Sequence, residues 1–311
     1  MAQALDFDSV AEGNLAIVVS ELARNVLLHG GSGEIILQPT KASTRESHVD
    51  VIALDRGPGI ADVPKALQDG YSSAGTSGTG LGAVRRLAAT LDLYTRLGEG
   101  TAIIARVKPG AIGQEELPMT GCVCVPIVGE ARCGDAWEHQ DQSGRRMIMV
   151  ADGLGHGIAA SDAANEALEA FRANLHKSPK DIIEAAHQRL QKTRGAAVAV
   201  AEIDFERQVV RYSGIGNIAG AIVANGKSRS MISHNGIVGH ISETIREFAF
   251  PWEHDAFLIM HSDGLQTRWN INHYQGLQFK PPSLIAAVLY RDFKRSRDDA
   301  TIVVSREARA A

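Results

Sequence analysis

The stretch MIMVADGLGHG, residues 147–157, decides how this chain is read. An apolar run from Met147 to Ala151 stops at Asp152, and Gly153, Gly155 and Gly157 follow within five residues. One explanation is plain: an Asp-Gly turn that closes a hairpin. The other is chemical, a carboxylate held at a strand end beside exposed backbone, placed to grip a hard cation. Taken alone the dipeptide favours the turn, because Asp-Gly is a common turn pair.

The rest of the chain changes that balance. Asp135 sits in CGDAW (133–137), Asp263 in LIMHSDGL (258–265), and Asp298 and Asp299 in RDDATIVV (297–304). With Asp152, three of these groups adjoin an apolar strand, at its end or its beginning. Carboxylates that converge at strand ends repel strongly in a partly buried site unless cations neutralise them. Divalent ions with oxygen ligands are the natural solution.

The order G-D, VADGLGHG, SDGL, DDAT resembles the metal-dependent protein phosphatases of type 2C, most closely their SpoIIE and RsbX branch. The resemblance spans residues 119 to 306. It implies a β-sandwich flanked by helices, with a two-metal site for manganese or magnesium at one edge. Asp135 and Asp152 would bridge or bind the ions, the Gly153 carbonyl would bind one, and Asp263 and Asp298 would complete the set. Asp299 shares or replaces Asp298, a choice the spacing leaves open. Such ions acidify water and clamp phosphate oxygens, so the implied reaction is in-line hydrolysis without a covalent phosphoenzyme. His156 reads either as a general acid or as a structural histidine near the turn, and it stays outside the catalytic set.

Length and composition set the frame. The chain has 311 residues, enough for two domains. Its 44% hydrophobic and 22% charged content is ordinary for a globular protein with real cores. A net charge of −4, with no basic stripe, points to neither nucleic acid nor an anionic membrane. The N-terminus has no secretory pattern and no apolar run approaches 18 residues, so a cytoplasmic location is expected. The three cysteines, Cys122, Cys124 and Cys133, form no C-x-x-C pair and suit reduced thiols.

A break in pattern falls near residue 110, where KPGAIGQEELP has the composition of a linker. Residues 1–107, the linker 108–118 and residues 119–311 are therefore read as two domains and their joint. The first reads as an α/β sandwich and the second as a strand-rich α+β domain. In the first, residues 14–29 read as a helix halted by Gly30 and Gly31, and Glu21 and Asn25 share one of its faces. Asp55 ends a strand and opens DRGPG, where Gly57 and Gly59 allow close backbone approach. GYSSAGTSGTGLGAVRRL (70–87) places Gly78, Gly80 and Gly82 just before a helix, where free N–H groups suit a phosphate chain. No strand leads into this loop, against a Rossmann site, and it holds no Gly-Lys-Ser/Thr, against a Walker loop.

Together SELARN, DRGPGI, DGYSS and GTGLGAVRRL resemble the Bergerat-fold ATPases, and among them the RsbW and RsbT type of anti-sigma and switch serine kinases. The resemblance covers residues 5 to 107. It implies that Asn25 holds magnesium against the phosphates of ATP and that Glu21 acts as the base or orients the hydroxyl. Asp55 would accept from the adenine amino group with help from Thr101, under a lid at 70–82. Such kinases usually carry a strand and a helix ahead of the Glu/Asn helix, and this chain begins almost at that helix. The expectation is therefore an ATP-binding domain that regulates a serine/threonine phosphatase. Its implied substrate is a phosphoserine or phosphothreonine STAS-domain protein in a partner-switching pathway. A two-way kinase/phosphatase and a non-catalytic scaffold are the alternatives, and a homodimer is left open.

Overall fold

The computed structural model describes residues 5–40, 47–68, 80–109, 118–242 and 244–307. The chain forms two compact units. The first holds Met1–Pro118 together with Phe279–Arg291, and the second holds Met119–Gln278 and Asp292–Ala311.

In the first unit, helix α1 (Ser9–Asn25) starts where Asp8 Oδ1 accepts the Ala11 N–H at 2.7 Å. This N-cap sets the start five residues earlier than the periodicity predicts. Ala11, Leu15, Val18 and Leu22 form the buried stripe of α1, and a π-helical turn, Val26–Gly30, follows Asn25 directly. Strands β1 (Gly33–Thr40) and β2 (His48–Asp55) come next, then helices α2 (Val63–Ala66) and α3 (Gly80–Leu87). The unit continues with β3 (Thr90–Arg96) and β4 (Gly100–Val107), and its sheet is antiparallel in the order β1-β2-β4-β3. The α1 stripe packs on Val49, Val51 and Ala53 of β2 and on Ile103 and Ala105 of β4, with Val84 of α3. Residues two apart share a sheet face, which is why alternate positions supply this core.

The second unit begins with β5 (Thr120–Val125), β6 (Asp135–Gln142) and β7 (Arg145–Gly153), followed by helices α4 (Ile158–Ala173) and α5 (Pro179–Leu190). Strands β8 (Ala196–Asp204), β9 (Val209–Ile215), β10 (Ala219–Ala224) and β11 (Lys227–Met231) follow. After them come the short pair β12 (Gly236–Ile237) and β13 (Ile241–Ser242), then β14 (Phe248–Pro251) and β15 (Phe257–His261). Helix α6 (Pro282–Phe293) precedes the last strand, β16 (Ala300–Arg306), and is counted with the first unit as far as Arg291.

Two five-stranded sheets, β14-β9-β8-β7-β6 and β11-β10-β15-β16-β5, make a sandwich. Strand β7 shows why the apolar run at 147–151 is continuous. Ile148 and Val150 face the other sheet, among Tyr212, Leu258, Met260 and Val303. Met147, Met149 and Ala151 face α4 and α5, among Phe171, Ile182 and Leu190. A strand buried on both faces has no polar side to alternate with.

Candidate functional site

Asp152 is the next-to-last residue of β7, and it lies directly across from Asp135, the first residue of β6. Two carboxylates in register are destabilising unless something separates or neutralises them. Asp263 follows β15 after a single serine, while Asp298 and Asp299 immediately precede β16, the neighbour of β15.

The charges of these groups act on one another. Burial, then the negative charges of Asp135, Asp263, Asp298 and Asp299, pushes the Asp152 carboxyl up to about 9. Burial likewise pushes Asp135 up to about 7, although the Ser262 hydroxyl pulls it down. Asp298 is raised by its own partial burial and by Asp263. Among the described residues no three His, Cys, Asp or Glu side chains close tightly enough to enclose an ion. Repulsion among ionised carboxylates opposes such closure, and a bound cation removes that repulsion.

Asp135 carries the clearest sign of a missing partner. Its Oδ2 accepts the Ser262 hydroxyl at 2.6 Å, but its Oδ1 is buried with no hydrogen-bond partner. A buried acceptor left open costs about 1–3 kcal/mol, a cost that a bound cation would offset. Carboxylates, backbone carbonyl and hydroxyl together are the hard-oxygen set that magnesium and manganese take. These residues fit a divalent ion.

The structure also separates Asp298 from Asp299. Asp299 is 2% exposed, and its two oxygens accept the backbone N–H groups of Ile127 (2.8 Å) and Gly134 (3.0 Å). Through both oxygens it ties its own loop to the β5–β6 connection. Asp298 is half-buried, and its Oδ1 accepts the N–H of Asp299 at 3.0 Å. At Gly153, a Cβ would lie 2.0 Å from the backbone oxygen of Ala160 in α4, so only glycine lets the helix start this close. Residues outside the proposed ligand set complete the arrangement. Asn217 Nδ2 donates to Asp263 Oδ2 at 2.7 Å, and Ser262 Oγ accepts the Thr301 N–H at 3.0 Å while donating to Asp135. His156 is exposed and pairs through Nδ1 with Glu130 Oε1 at 2.6 Å.

The first unit gathers the second set. Asp55, at the end of β2, anchors one oxygen: Oδ1 accepts the N–H of Gly57 at 2.8 Å and that of Thr101 at 3.2 Å. Thr101 is buried, its hydroxyl 3.0 Å from that of Thr95. Gly57 and Gly59 are required by the protein's own backbone. A Cβ would lie 2.6 Å from His29 O at the first, and 2.3 Å from Arg96 O at the second, where φ is +76°. Glu21 and Asn25 converge on the first turn of α3, since a Cβ on Gly80 would lie 3.6 Å from Glu21 Oε2 and 3.5 Å from Asn25 Oδ1. Gly82 is buried within the same turn. Gly78 and residues 70–79 of the expected lid lie outside the described residues.

Comparison with known proteins agrees with both halves. The family described as stage II sporulation protein E (SpoIIE) matches residues 142–307, and the histidine kinase-like ATPase domain matches residues 1–107. The serine/threonine-protein kinase RsbT of Bacillus subtilis (strain 168) is 39% identical over 105 residues, 34% of this chain and 78% of that protein. The phosphoserine phosphatase RsbX of the same organism is 25% identical over 138 residues, 44% of this chain and 69% of that one. A crystal structure of RsbX in complex with magnesium shares the fold, with a TM-score of 0.53 and 22% identity, over 60% of this chain and 92% of that one. With an RsbT-like ATPase domain ahead of a phosphatase region that fills just over half of its length, the chain belongs to the SpoIIE family of type-2C serine/threonine phosphatases.

Proposed function

We propose that this protein dephosphorylates a phosphoserine or phosphothreonine on a STAS-domain regulator of a bacterial partner-switching pathway, under the control of ATP bound to its first unit. Asp135, Asp152, Asp263, Asp298 and the Gly153 carbonyl would hold two manganese or magnesium ions. When bound, such ions acidify water and neutralise phosphate charge. The chain's own residues supply the frame for that chemistry. Ser262 orients Asp135, Asn217 orients Asp263, and Asp299 ties its own loop to the β5–β6 connection that leads to Asp135. The observation that carries this reading is the buried, unpartnered Asp135 Oδ1 in register with Asp152.

In the first unit Asn25 would hold magnesium against the phosphates, Glu21 would orient the attacking group, and Gly78, Gly80 and Gly82 would border the phosphate chain. Asp55, one oxygen anchored, keeps the other as acceptor for the adenine amino group, with Thr101 behind it. No helix among the described residues is long and apolar enough to cross a membrane. The identity with RsbT supports a second reading, in which the first unit also phosphorylates the same partner.

The test is hydrolysis of an aryl phosphate by the purified full chain. Manganese or magnesium should be required, and Asp152→Asn or Asp263→Asn should remove most of the rate. Undiminished activity in excess chelator, or in both variants, would rule out the metal centre.

A further inference from the structure

The match to the phosphatase family runs from residue 142 to residue 307, yet Phe279–Arg291 within it packs with the first unit. This segment contains most of α6, and every residue from Pro282 to Arg291 is buried. It is pinned near both ends. Lys280 Nζ donates to Asp92 Oδ1 of β3 at 2.8 Å. At the far end Arg291 Nη1 donates to the backbone oxygen of Asp55 at 3.3 Å, and Arg56 Nη2 donates to the backbone oxygen of Arg291. The two arginines clasp the end of β2 to the last turn of α6, and Arg56 fills one of the carbonyls a helix terminus leaves open. The clasped backbone is that of Asp55, whose side chain orders Gly57 and Thr101.

Past Arg291 the chain belongs to the second unit, and its next residues hold the turn that carries Asp263. Asp292 accepts the Tyr274 hydroxyl at 2.9 Å, and Phe293 O accepts the Gln266 N–H at 2.9 Å. Lys294 forms a β-bridge with Leu265, and Arg295 N–H donates to Gly264 O at 2.7 Å. A Cβ on Gly264 would lie 1.8 Å from the backbone oxygen of Asp299, so the turns bearing Asp263 and Asp298 pack backbone on backbone. The chain that leaves α6 at Arg291 therefore runs directly into the backbone that holds the turns of Asp263 and Asp298.

We propose that α6 couples the two sites: nucleotide at Asp55 changes the metal affinity of the Asp135–Asp152–Asp263–Asp298 centre through the Arg56–Arg291 clasp. This rests on the nucleotide and metal assignments proposed above. Coupling between sites is reciprocal and typically amounts to about 5- to 150-fold in affinity. The test is calorimetric titration of the full chain with manganese, with and without saturating AMP-PNP, in the wild type, Arg56→Ala and Arg291→Lys. Asp152→Asn, carried in parallel, identifies the manganese that enters with the nucleotide. The expected result is a manganese Kd that moves about fivefold or more with AMP-PNP in the wild type and less than about twofold in both clasp variants. AMP-PNP should still bind the variants, and their melting curves should show a folded protein. Tight AMP-PNP binding without any change in manganese affinity would overturn the coupling and leave the nucleotide site standing. Full wild-type coupling in both variants would overturn the route through α6. Absence of AMP-PNP binding to the folded wild type would overturn the nucleotide reading and this inference with it.

Discussion

Asp298 and Asp299 are adjacent carboxylates with different work. Asp299 accepts two backbone N–H groups in a buried setting. Asparagine has a single carbonyl oxygen, so Asp299→Asn strands at least one donor and should cost about 1–3 kcal/mol of stability. Asp298→Asn should cost little stability and abolish binding of one manganese. Thermal melts paired with metal stoichiometry separate the two, and the opposite pattern would exchange their roles. Ser262→Ala removes the hydroxyl that orients Asp135, and loss of such an outer partner should weaken metal binding about 10- to 100-fold. The raised carboxyls of Asp135 and Asp152 also set a pH dependence. Their folded values, about 7 and about 9, lie above the unfolded 3.8, so between these limits the metal-free folded chain holds more protons than the unfolded one. Stability without metal should therefore fall as pH rises from about 4 to about 9. Manganese competes with those protons, and its affinity should climb across pH 7 to 9. Melting curves in chelator that stay flat over this range would contradict the shared burial of the two aspartates.

At the scale of elements, the parts legible in the sequence are those that bury a regular pattern. The apolar runs of RRMIMVADG, AAVAVAEID, DAFLIMHSD and ATIVVS all lie in strands, β7, β8, β15 and β16. The strands without a readable apolar period are β6, β11 and β14, each an outer strand of its sheet, and the two-residue pair β12 and β13. An outer strand is half exposed and carries polar residues, as DAWEHQDQ and KSRSM do, so it gives no apolar alternation to detect. The four aspartates proposed as ligands stand out in the sequence because glycine and apolar runs bracket them, whereas the hydrogen bonds of Asn217 and Ser262 join partners distant in sequence. The start of α4 gives the sharpest local test. Gly153→Ala would drive a methyl group into Ala160 O, so β7 and α4 must separate. That substitution should reach the upper end of the roughly 0.5–3 kcal/mol typical of single changes and should weaken metal binding in step. Gly13→Ala in α1 meets no atom within 4 Å and should stabilise by about 0.5–1 kcal/mol, which controls for glycine replacement itself.

For the whole molecule, the question is what an ATP-binding unit does for a phosphatase that shares its chain. Two arrangements are chemically distinct: control of one activity by a ligand, or opposed activities on one partner. The segment Phe279–Arg291, which lies within the phosphatase match and folds with the ATPase unit, favours control. A ligand shifts an equilibrium only through its differential affinity for the two states, so the effect of ATP must show where those states differ. If they differ in metal affinity, ATP should change the dephosphorylation rate of a phosphorylated STAS domain several-fold at limiting manganese. At saturating manganese the difference should vanish, because both states are then fully loaded. Asp55→Asn should respond to neither condition. The measurement is initial rate against manganese concentration, with and without ATP, for the wild type and Asp55→Asn. An ATP effect that persists undiminished at saturating manganese would place control in the turnover step. No ATP effect at any manganese concentration, together with transfer of the γ-phosphate to the STAS domain by Asp152→Asn, would reject control in favour of a two-way enzyme.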